Sequence, residues 1–314
     1  MKADKILYHD NCWDGATAAY IASICCPKAE LVPMQYGYDF DKVSQSFYNK
    51  SILVVDFSFK SHELLQLLII TEDILIIDHH KTAIDDLIAN VPKHVLDKHT
   101  ILDDSMSGAG LVYDYFASEL PDYNISVGSL KKFVEKVQNR DLWISNSKHF
   151  EEFNAFMGLF KKTPESVKHI VASFSMDKMI EAGKHVMSYR DILINDHIKH
   201  VRFTMVSSKS GDVSYPAVIF ACSVSSLVSD ICSRILNSYQ NDSVMCAIKV
   251  AVAVVRISPN ECLYQLRSVG DADVSHIAKS FGGGGHKNSA GVMDSGSNIN
   301  WYNSSLDSYK QPLP

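Results

Sequence analysis

Ile74-Leu75-Ile76-Ile77-Asp78-His79-His80 is the stretch around which the chain reads. An aliphatic run that stops on an acid and two imidazoles reads as a buried strand whose carboxyl end presents ligands, the place where open α/β sheets bind substrates. Taken alone, the triplet is also compatible with a surface loop that holds two histidines. Its neighbours decide. Ile6-Leu7-Tyr8 is a short strand, followed by the loop His9-Asp10-Asn11-Cys12-Trp13-Asp14-Gly15, and Ala16 to Ala22 is small and helix-forming. Leu31 to Met34 and Ile52 to Val55 read as further strands, the second ending on Asp56. Three strands therefore end in His9/Asp14, Asp56 and Asp78/His79. Parallel strands alternating with helices place those ends along one edge, where the side chains can converge.

The chain has 314 residues, a prior of about two domains. Its 46% hydrophobic and 21% charged residues are those of an ordinary globular protein. No window approaches the ~18 uncharged apolar residues of a membrane span. The N-terminus runs into a strand with no signal-peptide core, so a cytoplasmic location and no membrane partner are expected. Seven cysteines with no CxxC pair argue against a disulfide framework and a zinc knuckle. Most read as small buried hydrophobes, and Cys12 stands apart. The net charge of −6 argues against a basic surface for long duplex nucleic acid. Met1 to Val201 carries 21 basic and 28 acidic residues, a balance of −7, whereas Arg202 to Lys287 carries 8 and 6, a balance of +2. An acidic half suits cations, and a mildly basic half suits an anionic substrate.

Further along, Lys81 to Leu120 reads as helical, with an N-cap at Ser105 to Gly108. A helix from Leu130 to Val137 leads into Gln138-Asn139-Arg140-Asp141-Leu142-Trp143, either a helix end with solvated charges or another ligand loop. Phe150 to Phe160 and Pro164 to Phe174 read as amphipathic helices. The expected domains are 1–177, a helical linker 178–200, and a smaller α+β domain over 201–314 with strands at 217–221, 249–257 and 262–267. That domain's last informative segment is Phe281-Gly282-Gly283-Gly284-Gly285-His286-Lys287, then Ser289-Ala290-Gly291. The glycines read either as a flexible linker or as a turn whose N–H groups approach phosphate. From Asp294 onward a loose tail is expected.

His9, Asp14, Asp56, Asp78 and His79 form an oxygen-and-imidazole set suited to Mn²⁺ or Mg²⁺. Such a set can hold two ions about 3.5 to 4 Å apart. In the order of these motifs, His9 to Gly15, Asp56, Asp78-His79-His80 and Gly282 to His286 with Ala290-Gly291, the chain resembles the DHH/DHHA1 phosphoesterase superfamily. That superfamily includes RecJ-type exonucleases, oligoribonucleases, cyclic-dinucleotide phosphodiesterases and exopolyphosphatases, and the resemblance extends to about residue 292.

The resemblance implies an α/β fold: an N-terminal parallel-sheet domain, a smaller C-terminal α+β domain, and the active site in the cleft between. It implies two divalent ions, Mn²⁺ or alternatively Mg²⁺. His9 would bind one ion, Asp14 and His79 the other, with Asp56 bridging and Asp78 orienting its neighbours. His80 would face the substrate phosphate, and Arg267 and His286 would hold phosphate, with Gly283, Gly284 and Gly285 close to the nucleotide. The chain departs from the family twice. Cys12 stands where an Asp is common, either as a thiolate ligand or as a packing residue. Asn139-Arg140-Asp141 stands where Asp-Arg-Asp is common, so either an amide replaces the ligand at Asn139 or Asp141 supplies it; Asp141 is the reading adopted. The implied activity is hydrolysis of short oligonucleotides or dinucleotides to mononucleotides by attack of metal-bound hydroxide. The alternatives are a phosphomonoesterase or exopolyphosphatase on the same site, and a catalytically weak nucleotide-binding module. The expected partner is a short oligonucleotide, dinucleotide or other small phosphoester; a homodimer is compatible with the resemblance.

Overall fold

The computed structural model describes residues 2–120, 127–240 and 242–295, and it divides into two compact units, Met1–Met187 and Ser188–Pro314. In chain order the first unit contains β1 (Lys5–His9), α1 (Trp13–Cys25), β2 (Glu30–Met34), α2 (Phe40–Ser44), β3 (Ser51–Val55), α3 (Ser61–Ile70), β4 (Asp73–Asp78), α4 (Lys81–Asn90), α5 (Lys93–His99) and β5 (Thr100–Leu102). Then follow α6 (Gly108–Tyr115), α7 (Val127–Asp141), α8 (Phe150–Met157), α9 (Pro164–Ser173) and the first half of α10 (Met176–Ile198).

The five strands form an all-parallel sheet in the order β2-β1-β3-β4-β5. Its central strands are continuous apolar runs because both faces are covered. Alternation along each strand sends Ile6, Leu53, Val55 and Ile77 into one core with α1 and α6 to α9. It sends Leu7, Ile52, Val54, Ile74 and Ile76 into the other, with Phe57, Phe59, Leu64, Leu67 and Leu87. This pins the register, and with it the placement of His9, Asp56 and Asp78 at one edge.

The second unit contains the rest of α10, β6 (Arg202–Ser207), β7 (Ser214–Ala221), α11 (Val228–Gln240), β8 (Val250–Ser258), β9 (Glu261–Ser268), α12 (Val274–Ser280), β10 (Gly284–His286) and β11 (Ser289–Asp294). Its sheet is mixed, in the order β10-β11-β9-β8-β7-β6, with β7 and β8 parallel. The α11 crossover makes that pairing possible. Its apolar face, Ile231, Cys232, Ile235, Leu236 and Tyr239, lies on one face of the sheet. On the other, Val274, Ile277 and Ala278 of α12 pack against Val250, Val252 and Leu266.

Three expectations change. The stretch read as helical from Lys81 to Leu120 contains β5, a three-residue strand too short for alternation to show, and its last helix ends at Tyr115. Asp294 is 6% exposed and closes β11, so it opens no tail; residues 296–314 of the expected tail lie outside the described residues. β6, Arg202–Ser207, was absent from the sequence reading, its polar and apolar residues giving no run that stands out. Among the described residues no helix is long and apolar enough to cross a membrane.

Candidate metal centre

Strand ends and helix termini build the site. Asp56 follows β3 in the left-handed region, φ 51°, a conformation that aspartate tolerates better than most residues. The turn leaves the carboxylate 1% exposed at the sheet edge. Asp14 lies in the first turn of α1, also 1% exposed, and the Ala109 N–H donates to its Oδ1 at 3.1 Å. Asp78 is fully buried. Its Oδ2 accepts from the Ser58 hydroxyl at 2.6 Å, and its Oδ1 accepts from the His79 N–H at 2.8 Å and lies 2.7 Å from His80 Nδ1. Asp141 arrives from the last turn of α7, which runs on through Asn139.

Around His79 Nε2 stand Asp56 Oδ1 at 3.2 Å, Asp141 Oδ2 at 3.4 Å and Asp14 Oδ2 at 3.6 Å. His9 Nδ1 lies 3.8 Å from Asp56 Oδ2, and His80 Nδ1 lies 4.0 Å from Asp56 Oδ1. Three ligand groupings result: Asp14, His79 and Asp141; His9, Cys12 and Asp56; and Asp56 with Asp78, His79 and His80. Asp141 therefore joins the cluster.

Several of the clustered donor atoms lack hydrogen-bond partners. Asp14 Oδ2, both Asp56 oxygens and His9 Nδ1 are buried without a hydrogen-bond partner, a condition that costs free energy unless an ion satisfies it. Burial, and then the charge of Asp14, push the Asp56 carboxyl well above the usual range. The same two causes raise Asp141 to about 6 against the pull of His79 and His80. Burial and neighbouring His80 lower His9. Burial opposes charge on Asp78 and His80 alike, but their mutual hydrogen bond outweighs it, holding Asp78 down and His80 up. Burial raises the Cys12 thiol, while the backbone N–H groups of Gly15 and Asp14 favour its thiolate. Unpaired carboxylates with imidazole form a donor set that fits divalent ions.

Sequence reasoning passed over several supporting groups. Gly108 opens α6 directly over Asp56, and a Cβ there would lie 2.6 Å from the Asp56 Cβ. Ser58 was visible only as a neighbour of Asp56. Gln138 accepts from the Ser107 N–H at 3.1 Å and so ties α7 to the start of α6. Tyr36 stacks on Phe57, ring centroids 4.9 Å apart, and meets His9 edge-on. It lines a pocket of about 500 Å³ with Tyr38, Lys60, His62 and His80. A second pocket of about 370 Å³ lies beside Cys12, Asp14, Arg140, Asp141 and Trp143.

In the second unit, Arg267 of β9 pairs with Ser289 of β11, which pairs with His286 of β10. The three form one row across the sheet. The Arg267 guanidinium donates to Ser229 Oγ at 3.1 Å and to the Leu266 carbonyl at 3.0 Å. Gly284 and Gly285 lie in strand β10, so the glycine run is a hairpin arm and not a linker. A side chain at Gly285, φ 142°, would collide with the Ser289 carbonyl.

No family model matches the chain. It is 27% identical over 311 residues to an uncharacterized protein of Acanthamoeba polyphaga mimivirus, covering 94% of this chain and 68% of that protein. Among solved structures it is similar to a pGpG-specific phosphodiesterase from Vibrio cholerae, at 12% identity, TM-score 0.44 and 93% coverage of each chain. It is also similar to an uncharacterized protein from Helicobacter pylori, at 17% identity, TM-score 0.42 and 93% coverage of each chain. The third likeness is to RecJ in complex with Mn²⁺ from Thermus thermophilus, at 13% identity and TM-score 0.38, over 92% of this chain and 49% of that one. In its motifs the chain resembles the DHH/DHHA1 phosphoesterase superfamily. The architecture rests on the strand order described above.

Proposed function

We propose that this chain is a metal-dependent phosphodiesterase of the DHH/DHHA1 kind, hydrolysing short oligonucleotides or dinucleotides to mononucleotides. The observation that carries the reading is the knot of buried, unpartnered ligand atoms from Asp14 and Asp56 around His79, with that of His9 beside Asp56. Asp14, His79 and Asp141 would hold one divalent ion and His9 the other, with Asp56 reaching both; Mn²⁺ is the expected ion and Mg²⁺ the alternative. Bound there, such ions would polarise a phosphoryl group and lower the pKa of water.

The remaining work falls to the chain's own groups. Asp78 fixes the His80 ring through Nδ1, which leaves Nε2 for the substrate. A proton at His80 Nε2 would make it a donor to a phosphate oxygen. The pocket beside it has room for a nucleoside, and the half-exposed Tyr36 ring suits base stacking. Arg267 and His286, with the backbone at Gly283, Gly284 and Gly285, are assigned to the substrate phosphate.

The test is a time course on 5'-labelled RNAs of two to five nucleotides and linear pGpG in Mn²⁺, with Asp56→Asn and Asp78→Ala as controls. Mononucleotide release that Asp56→Asn abolishes and Asp78→Ala reduces at least about tenfold is expected. Phosphate release from polyphosphate with no diester cleavage would replace this reading by the exopolyphosphatase. Fewer than two ions per chain and no hydrolysis would leave a binding module.

A further inference from the structure

The metal centre has two sides of different chemistry. On one, Asp14, His79 and Asp141 offer only oxygen and imidazole. On the other, Cys12 Sγ lies within 4.8 Å of ligand atoms of both His9 and Asp56. His9 Nδ1 and the Asp56 carboxylate oxygens have no hydrogen-bond partner, and Asp56 is 1% exposed. A thiol is too weak a donor to satisfy a buried carboxylate, so packing alone does not explain this arrangement. The other cysteines provide the contrast. Cys26, Cys222 and Cys232 are buried among apolar side chains, and among the described residues Cys12 is the one cysteine in a cluster of potential ligands.

We propose that the centre is built of two unlike halves: Cys12 joins His9 and Asp56 in a thiolate-bearing half that selects a softer ion such as Zn²⁺, while Asp14, His79 and Asp141 select a hard ion such as Mn²⁺. The proposal rests on the reading of this cluster as a metal centre. Thiolate ligands select softer ions, and carboxylate sets suit Mn²⁺, so one cysteine in place of an acid changes the preference of one half alone. Binding there releases the Cys12 proton to solvent and leaves the sulfur as a two-electron donor to the ion. Asp56 reaches towards both halves, with Oδ2 3.8 Å from His9 and Oδ1 3.2 Å from His79.

Spectroscopy on the full-length protein tests this without reference to hydrolysis. The metal-free chain is titrated with Co²⁺ alone. A near-ultraviolet sulfur-to-cobalt charge-transfer band is expected together with visible bands from the second ion. Cys12→Ser removes the near-ultraviolet band and keeps the visible ones. Cys12→Asp, a substitution compatible with its place before α1, does the same and lowers Zn²⁺ affinity at least about tenfold. It also provides the comparison should the serine variant be misfolded by circular dichroism. After dialysis against Mn²⁺ in large excess over a limiting amount of Zn²⁺, the native protein is expected to retain more Zn²⁺ per chain than Cys12→Asp does. Visible cobalt bands without the near-ultraviolet band, or a band that survives both substitutions, overturn the role of Cys12 and leave the metal centre standing. No Co²⁺ uptake at all overturns the metal-dependent reading with it.

Discussion

Asp56 carries the largest burden of any single residue: a left-handed backbone, a carboxylate with both oxygens unpartnered, and a helix start pressed against it. Gly108 permits that approach, since a methyl group there would stand 2.7 Å from Asp56 Oδ1. Helix propensity favours alanine by up to about 1 kcal/mol in a helix interior and by less at the first position of a helix such as this one. The clash is worth more, so Gly108→Ala is expected to cost about 1–3 kcal/mol and to weaken metal binding at least about tenfold. Thermal melting and a Mn²⁺ titration check both, and a stabilised variant would refute the close contact. The carboxylates also set a pH dependence for the metal-free protein. A carboxyl whose pKa is raised by folding binds its proton more tightly folded than unfolded. Its contribution is therefore full below about 3.9 and lost as pH rises through the folded value. For Asp141 that value is about 6; Asp56 and His80, both raised, act with the same sign. His9, lowered, acts in the opposite sense. Chelator-treated protein should melt at a lower temperature at pH 8 than at pH 5.5, and Mn²⁺ should flatten the slope. Equal or rising stability in the metal-free protein would show the cluster is not self-repelling.

At the level of elements, β3 and β4 cooperate through a residue that neither contains. Ser58, two positions past Asp56, donates to Asp78 and so couples the two strand ends. Ser58→Ala leaves one oxygen of a fully buried carboxylate without its donor. A loss of about 1.5–3 kcal/mol is expected by denaturant titration. The fall in hydrolysis should be smaller than for Asp56→Asn, because the metal-facing atoms are untouched. The acidic and imidazole residues at the sheet edge were legible in the sequence for a physical reason: strands buried on both faces are uninterrupted aliphatic runs, and a charged or imidazole residue closing such a run marks the sheet edge. Asp141 was legible as a residue, in a segment that reads either as a helix end or as another ligand loop; it closes α7, which continues past the apolar spacing that ends at Val137. Gly108 and Ala109 gave no signal, because a backbone N–H and a missing side chain leave no trace in residue type. The glycine run before His286 was read as a phosphate cradle or a linker. Its placement in a hairpin gives part of it a packing reason independent of any ligand.

For the molecule as a whole, the two units have separate cores. The two apolar clusters of the first unit draw on residues up to Ala182, and those of the second begin at Leu193. Every residue placed in the metal cluster precedes Met187. The row of Arg267, Ser289 and His286 belongs to the second unit. The division predicts separable functions. A chain ending at Met187 should fold, bind Co²⁺ with the same near-ultraviolet and visible bands as the full chain, and slowly hydrolyse a small activated diester such as bis-p-nitrophenyl phosphate. Its hydrolysis of pGpG should fall much further. Losing two hydrogen bonds to a charged phosphate, each about 1.5–3 kcal/mol, removes about 3–6 kcal/mol, or on the order of 10² to 10⁴ in kcat/KM. Arg267→Ala in the full chain should account for about half of that free energy and raise KM without changing metal content. A fragment that folds by circular dichroism yet takes up no cobalt would mean that the second unit supplies a ligand. One that hydrolyses pGpG at the full rate would remove the second unit from substrate binding and leave its basic row to another role.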